Sequence, residues 1–237
     1  MPLNILVTGG AGYIGSHACK ALAAGGYLPI AYDNLCRGHP QAVKWGPLEE
    51  GDIADPDRVR AVLDKYQPAA LMHFAAYAYV GESVERPLLY YQNNFAGAVA
   101  LFQALLGFRT IPVIFSSTCA TYGVPEQIPI IEDHPQRPIN PYGHSKLFVE
   151  RMLADLNVAF NLPWMAFRYF NAAGADPDGE IGEMHDPETP FDSTGTWRNV
   201  FSTPVGPQLA QVSRHFAVNS LTCAMYGRPG PSLTQAG

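Results

Sequence analysis

Three glycines, Gly9, Gly12 and Gly15, lie between a short apolar run and a helical one, and this junction limits the folds open to the chain. Leu3-Asn4-Ile5-Leu6-Val7 reads as a buried strand. Ser16-His17-Ala18-Cys19-Lys20-Ala21-Leu22-Ala23-Ala24 reads as a helix stopped by Gly25-Gly26. The spacing is G-x-x-G-x-x-G, not the G-x-G-x-x-G of the commonest dinucleotide fold, but the physics is shared. Glycine lets the backbone turn tightly and come close to a pyrophosphate, which the free N–H groups and positive end of the following helix then hold. A bare glycine pattern is weak evidence. Its position between strand and helix is the context that gives it meaning.

A second strand-like run, Leu28-Pro29-Ile30-Ala31-Tyr32, ends at Asp33, near the distance at which a carboxylate accepts from the adenosine ribose hydroxyls. A carboxylate there repels a 2′-phosphate and favours NAD over NADP. Arg37, four residues on, keeps the phosphorylated cofactor open as an alternative. A third strand-like segment ends at Asp52-Ile53, and Asp55-Pro56 has the form of a helix cap and first helical residue. Residues 69–74, 113–117 and 164–169 read as further strands, and residues 87–108 and 142–160 as long helices. This alternation predicts an α/β chain with a doubly wound parallel sheet.

Composition excludes several classes. The net charge of −6 and the lack of a basic patch argue against nucleic acid. No apolar run is long enough to span a membrane and no basic leader is evident, so the sequence predicts a cytoplasmic protein without a membrane partner. Cys19, Cys36, Cys119 and Cys223 show neither metal-ligand nor disulfide spacing, which predicts reduced thiols and no metal site. His17 and His73 read as structural histidines.

Tyr142-Gly143-His144-Ser145-Lys146 places a phenol and an ammonium one helical turn apart on one face. A cation beside a phenol favours the phenolate, so Tyr142 is a candidate general base and Lys146 its tuner. The pattern alone is common and gains weight from the glycine loop.

Together with Asp33-Asn34-Leu35, Gly51-Asp52-Ile53, His73-Phe74-Ala75-Ala76, Val80-Gly81-Glu82-Ser83-Val84, Tyr90-Tyr91-Gln92-Asn93-Asn94, Phe115-Ser116-Ser117-Thr118 and Arg168-Tyr169-Phe170-Asn171, these motifs run in order over residues 3–189. In this the chain resembles the extended short-chain dehydrogenase/reductase superfamily and its UDP-glucose 4-epimerase branch. The resemblance implies a Rossmann-type NAD-binding domain over residues 1–170 and the start of a substrate-binding region over 171–189. It implies Tyr142 as catalytic base on the sugar 4-hydroxyl, Lys146 as tuner and ribose contact, and Thr118 as a hydroxyl bridging Tyr142 and a UDP-sugar. Gly9, Gly12, Tyr13, Ile14, Gly15, Asp33, Asn34, Asp52, Ile53, Phe74, Ala75, Asn93 and Phe170 fall where the family contacts NAD, with Tyr142 and Lys146 beside them. Asn171 falls where the family contacts the substrate diphosphate. Ala78 stands where some members carry lysine, which removes or replaces one nicotinamide-side contact. The family implies a homodimer for full-length members, an expectation not extended to this chain.

The alternatives are another UDP-sugar 4-epimerase, such as one acting on a UDP-pentose, and a silent NAD-binding module. A 4,6-dehydratase fits less well, because that branch places Asp-Glu after the hydroxyl residue and this chain has Cys119-Ala120.

After Thr189 the likeness stops. Residues 190–237 hold one acid (Asp192) against three arginines, with five each of proline, glycine, serine and threonine and no clear apolar period. A single C inserted after an ACC threonine codon turns Thr-His-Leu-Ile-Pro into Thr-Pro-Phe-Asp-Ser, which is Thr189-Pro190-Phe191-Asp192-Ser193. The expectation is therefore an incomplete C-terminal substrate domain followed by a non-family tail read as frame-shifted, by sequencing error or real truncating mutation, with a divergent C-terminal domain as the alternative; loss of the rest would leave an aggregation-prone face.

Overall fold

The computed structural model describes residues 1–172, 174, 176–184 and 223–226. Most of the tail after Thr189 lies outside the described residues.

Seven strands form one sheet: β1 (Asn4–Thr8), β2 (Leu28–Asp33), β3 (Leu48–Glu50), β4 (Ala70–His73), β5 (Val113–Thr118), β6 (Trp164–Tyr169) and β7 (Cys223–Tyr226). Their order is β3-β2-β1-β4-β5-β6-β7, with all pairs parallel except β6 with β7. Strands β1 to β6 thus make the parallel Rossmann-type sheet. The tail, read from sequence as lacking a periodic element, contributes β7 at one edge.

The central strands are apolar on both faces because helices cover both. Alternation sorts their side chains. Leu6, Ile30, Leu71, Val113 and Ala166 meet α2 (Pro56–Tyr66), α5 (Gly97–Phe108) and α6 (Pro141–Phe160) through Val62, Leu63, Leu101, Leu105, Val149 and Leu153. Ile5, Val7, Ala31, Met72, Ile114 and Met165 meet α1 (Tyr13–Ala24) through Ala18, Cys19 and Leu22. This two-sided burial is what doubly wound connectivity requires.

Helix boundaries follow local chemistry. Asp55 accepts from the N–H groups of Asp57 and Arg58, with Pro56 in the first turn of α2. Asn140 accepts from Gly143 N–H at the start of α6, and Pro141 follows it. The third strand ends at Glu50, earlier than expected, because Asp52 turns back to accept from Ala54 N–H. Residues 87–108 are not one regular helix. A short α4 (Pro87–Tyr90) passes into a π-helical turn, Tyr91–Ala96, before α5, and is preceded by a further short helix, α3 (Val80–Glu85). No described helix is long and apolar enough to cross a membrane.

Between β1 and β4 the strand order reverses. The carboxyl ends of these strands open a crevice there, the position at which open α/β sheets bind ligands.

Candidate active site

The loop after β1 forms the floor of this cleft. Gly9 has φ +74°, and a Cβ there would sit 2.5 Å from Ala75 N. A Cβ on Gly15 would lie 2.0 Å from Gly9 O. Both glycines are therefore required by the chain's own packing. Gly12 is different: φ −82° and ψ 175° suit any residue, and a Cβ would approach only Gly9 O, at 3.3 Å. Gly12 lines the cleft at the N-cap of α1, where no side chain caps the helix and no acid occupies the first turn. A bare backbone cradle facing free helical N–H groups suits a diphosphate.

Asp33 closes one side. It is buried, with Oδ2 accepting from Ala11 N–H at 3.0 Å and Oδ1 from Leu35 N–H at 2.9 Å. Burial raises its pKa against the pull of those two bonds. The carboxylate thus ties the end of β2 to the glycine loop while lining the cleft. Asn34 also lines the cleft and donates to Asp52 Oδ2 at 2.8 Å.

The opposite wall comes from residues 74–79 with Asn93. Asn94 fixes that wall: its Oδ1 accepts from Tyr77 N–H at 2.8 Å and its Nδ2 donates to Tyr77 O at 2.9 Å. The same amide reaches Ser145 Oγ on α6 at 3.2 Å. The π-helical turn presents successive asparagines in different roles, Asn93 to the cleft and Asn94 to the scaffold. Such turns recur at functional sites.

Behind this wall, α6 meets the end of β5. Ser116 and Thr118 are two apart on the strand and share a face. Tyr142 and Lys146 are four apart on the helix and share one too. Lys146 Nζ donates to Ser116 O at 2.8 Å, and the Thr118 hydroxyl accepts from Ala120 N–H at 3.2 Å while exerting a lowering pull on the Tyr142 phenol. Of these four residues Ser116 lines the cleft, and Lys146 reaches its carbonyl from behind. Burial pushes the Tyr142 phenol up to about 12, opposed by the Thr118 hydroxyl. Burial also pushes Lys146 down to about 7, against the field of Glu150.

This differs from the sequence expectation in one respect. Desolvation is the largest influence on Tyr142 and raises its pKa, where the sequence led to a lowered one. His73 is buried, shares a hydrogen with Thr8 Oγ1 at 2.7 Å and is held neutral near 3, first by burial and then by Lys146. It is therefore neutral at physiological pH. His17 Nδ1 lies 2.9 Å from Tyr13 O, whereas its Nε2 is buried without a partner among the described residues.

Of the residues read from sequence, Gly9, Gly12, Tyr13, Ile14, Gly15, Asp33, Asn34, Ile53, Phe74, Ala75 and Asn93 line the cleft. Thr118, Tyr142 and Lys146 adjoin it through Ser116. Asp52 lies behind Asn34, outside the lining. Phe170 also lies outside the lining, just beyond β6, and is exposed, as is Asn171, which was expected at the substrate diphosphate and not in the cofactor cleft. Sequence reasoning did not find Tyr77, Tyr79, Glu82 or Asn94. An asparagine pair inside a helix was the available signal for Asn94, since asparagine is a poor helix former. The acidic trio Asp176, Asp178 and Glu180 surrounds the Lys20 ammonium at 2.8, 2.5 and 2.9 Å.

An α/β sheet with a diphosphate cradle at its switch point and a Tyr-Lys-Thr corner beside it defines a dinucleotide-dependent class of protein. The chain belongs to the NAD dependent epimerase/dehydratase family, whose sequence profile matches residues 5–186. It is 54% identical over 186 residues to the UDP-glucose 4-epimerase of Rhizobium meliloti, covering 78% of this chain and 57% of that protein. The UDP-glucose 4-epimerase of Rhizobium leguminosarum bv. trifolii is 53% identical over the same length and coverage. The crystal structure of UDP-glucose 4-epimerase from Brucella ovis in complex with NAD superposes with a TM-score of 0.78 at 59% identity, covering 79% of this chain and 57% of that one. The chain spans little more than half the length of the relatives it matches.

Proposed function

We propose that this chain is the cofactor-binding and proton-transferring part of a UDP-sugar 4-epimerase, with UDP-glucose and UDP-galactose as the pair interconverted. The observation that carries the reading is Lys146 anchored on the carbonyl of the cleft-lining Ser116, one turn from Tyr142 on α6 and two residues from Thr118 on β5. The cradle fits NAD: Gly12 and the α1 N-terminus would hold the pyrophosphate, Asp33 and Asn34 the adenosine ribose, and Ala75 and Asn93 the opposite wall. Bound NAD supplies a hydride acceptor that later returns the hydride. The chain's own residues handle the proton. Tyr142 takes it from the sugar 4-hydroxyl and returns it, with Thr118 Oγ1 as both donor and acceptor between phenol and sugar. A phenol near 12 is protonated at neutral pH, so Tyr142 acts as base only where that upward shift is offset by stabilisation of its phenolate.

Net oxidation is zero, so the reading makes the cofactor a retained catalyst. Substrate contacts outside residues 1–184, a homodimer of the full-length protein and a cytoplasmic location belong to the same proposal.

The test is conversion of UDP-galactose by purified protein, read together with fluorescence of bound NAD(H). Bound cofactor with conversion that disappears in Tyr142→Phe supports the reading. Conversion undiminished in Tyr142→Phe refutes Tyr142 as the base. Bound cofactor without any conversion favours a silent NAD-binding module.

A further inference from the structure

Arg37 is the single cationic side chain lining the cleft among the described residues. It follows Asp33 by four positions on a loop folded against that acid, since a Cβ on Gly38 would lie 2.8 Å from Asp33 Oδ1. In dinucleotide folds an arginine near the ribose acid accommodates a 2′-phosphate. By position alone, Arg37 should therefore make the cleft receptive to the phosphorylated cofactor.

The structure commits that guanidinium elsewhere. Arg37 Nη2 donates to Glu82 Oε1 at 2.7 Å and Oε2 at 2.8 Å. The rings of Tyr77 and Tyr79 lie 4.6 and 5.2 Å from its central carbon. Glu82 is itself fixed: the Tyr90 hydroxyl donates to its Oε2 at 2.9 Å, and Arg86 lies 3.6 Å from Oε1. Tyr90 is fully buried and also accepts from Tyr79 N–H at 3.0 Å. One anchored carboxylate, carried on α3, thus holds the loop cation against two aromatic rings.

We propose that Glu82 is a cofactor-specificity residue: by pairing with Arg37 it withholds the cleft's cation from a 2′-phosphate and leaves the site selective for NAD over NADP. Asp33 repels the phosphate, and Glu82 removes the group that would compensate. The inference rests on the NAD-binding reading above and deepens it.

Calorimetric titration with NAD⁺ and with NADP⁺ tests it on wild type, Glu82→Gln, and Glu82→Gln combined with Arg37→Gln, with thermal midpoints confirming that each is folded. Releasing a charged guanidinium to a phosphate should tighten NADP⁺ relative to NAD⁺ by about tenfold in Glu82→Gln. Adding Arg37→Gln should abolish that gain. Tyr90→Phe keeps both charges but loses the anchor, and it should shift the ratio in the same direction by less, which keeps the test open if Glu82→Gln does not fold. An unchanged ratio in whichever of these two variants folds, or a gain that survives loss of Arg37, overturns the proposal. Wild-type protein binding neither dinucleotide would overturn the cofactor reading itself and this inference with it, a result distinct from NAD⁺ binding with an unmoved ratio.

Discussion

Replacing Glu150 with methionine strips a buried guanidinium of its counter-ion. Glu150 and Arg168 side chains are 4% and 5% exposed, and Arg168 Nη2 lies 2.6 Å from Glu150 Oε2. Arg168 Nε reaches both carboxylate oxygens, at 3.0 and 3.2 Å, and its Nη1 donates to Tyr122 OH at 2.8 Å. Ser117 Oγ and Gln136 Nε2 also donate to the carboxylate. At this depth solvent screening is slight, so breaking the pair from one side costs about 3–5 kcal/mol. That is a large share of a stability of about 5–15 kcal/mol. The position links it to the site: Glu150 is one turn beyond Lys146 on α6, while Ser117 sits between Ser116 and Thr118 on β5. The network therefore sets the helix against the strand. Urea unfolding followed by circular dichroism of Glu150→Met, Arg168→Met and the double variant forms the assay. Each single variant should lose about 3–5 kcal/mol, and the double variant should lose less than the two losses combined by about 2 kcal/mol or more, since replacing both partners leaves no stranded charge. A Glu150→Met variant within about 1 kcal/mol of wild type, or strictly additive losses, would refute the reasoning.

Two other outcomes follow from the same geometry and a third from the sequence. Gly12→Ala should leave the thermal midpoint nearly unchanged and weaken NAD⁺ binding about tenfold or more, whereas Gly15→Ala should lower the midpoint outright because its Cβ would strike Gly9 O; calorimetry and thermal melts separate the two. Lys146 has a folded pKa of about 7, below its ordinary 10.5, so the unfolded chain binds the extra proton between those values and stability rises with pH across that window. Lys146→Met should therefore stabilise the fold most below about pH 7, with the gain fading toward about pH 10 in denaturation midpoints; a pH-independent difference would contradict a desolvated lysine. Sequencing the gene through the Thr189 codon should show that a neighbouring frame continues the family pattern, and an intact frame confirmed at that codon would remove the frame-shift reading of residues 190–237.

Much of the fold was legible because its signals are local. Asp55-Pro56 and Asn140-Pro141 mark helix starts through bonds spanning two or three residues. The apolar runs at residues 3–7 and 113–117 fall on β1 (Asn4–Thr8) and β5 (Val113–Thr118). The helix expected over residues 87–108 was interrupted because the π-helical turn is held by contacts to Tyr77 and Ser145, which no short window contains.

The sequence by itself determined the strand-glycine-helix junction, the parallel sheet and the one-turn spacing of Tyr142 and Lys146, because periodicity, glycine backbone freedom and helical spacing act within a few residues, whereas Thr118 was named only through the family resemblance. Only the tertiary structure decided what those groups experience. Whether Arg37 is free depends on Glu82, 45 residues away and brought near by the fold. Whether Tyr142 is tuned down or up depends on burial against charge, and burial exists only once α6 has closed on β5. Asp52 and Phe170 carry motif identities but are not among the residues lining the cleft, because lining is a property of the assembled surface and not of the motif.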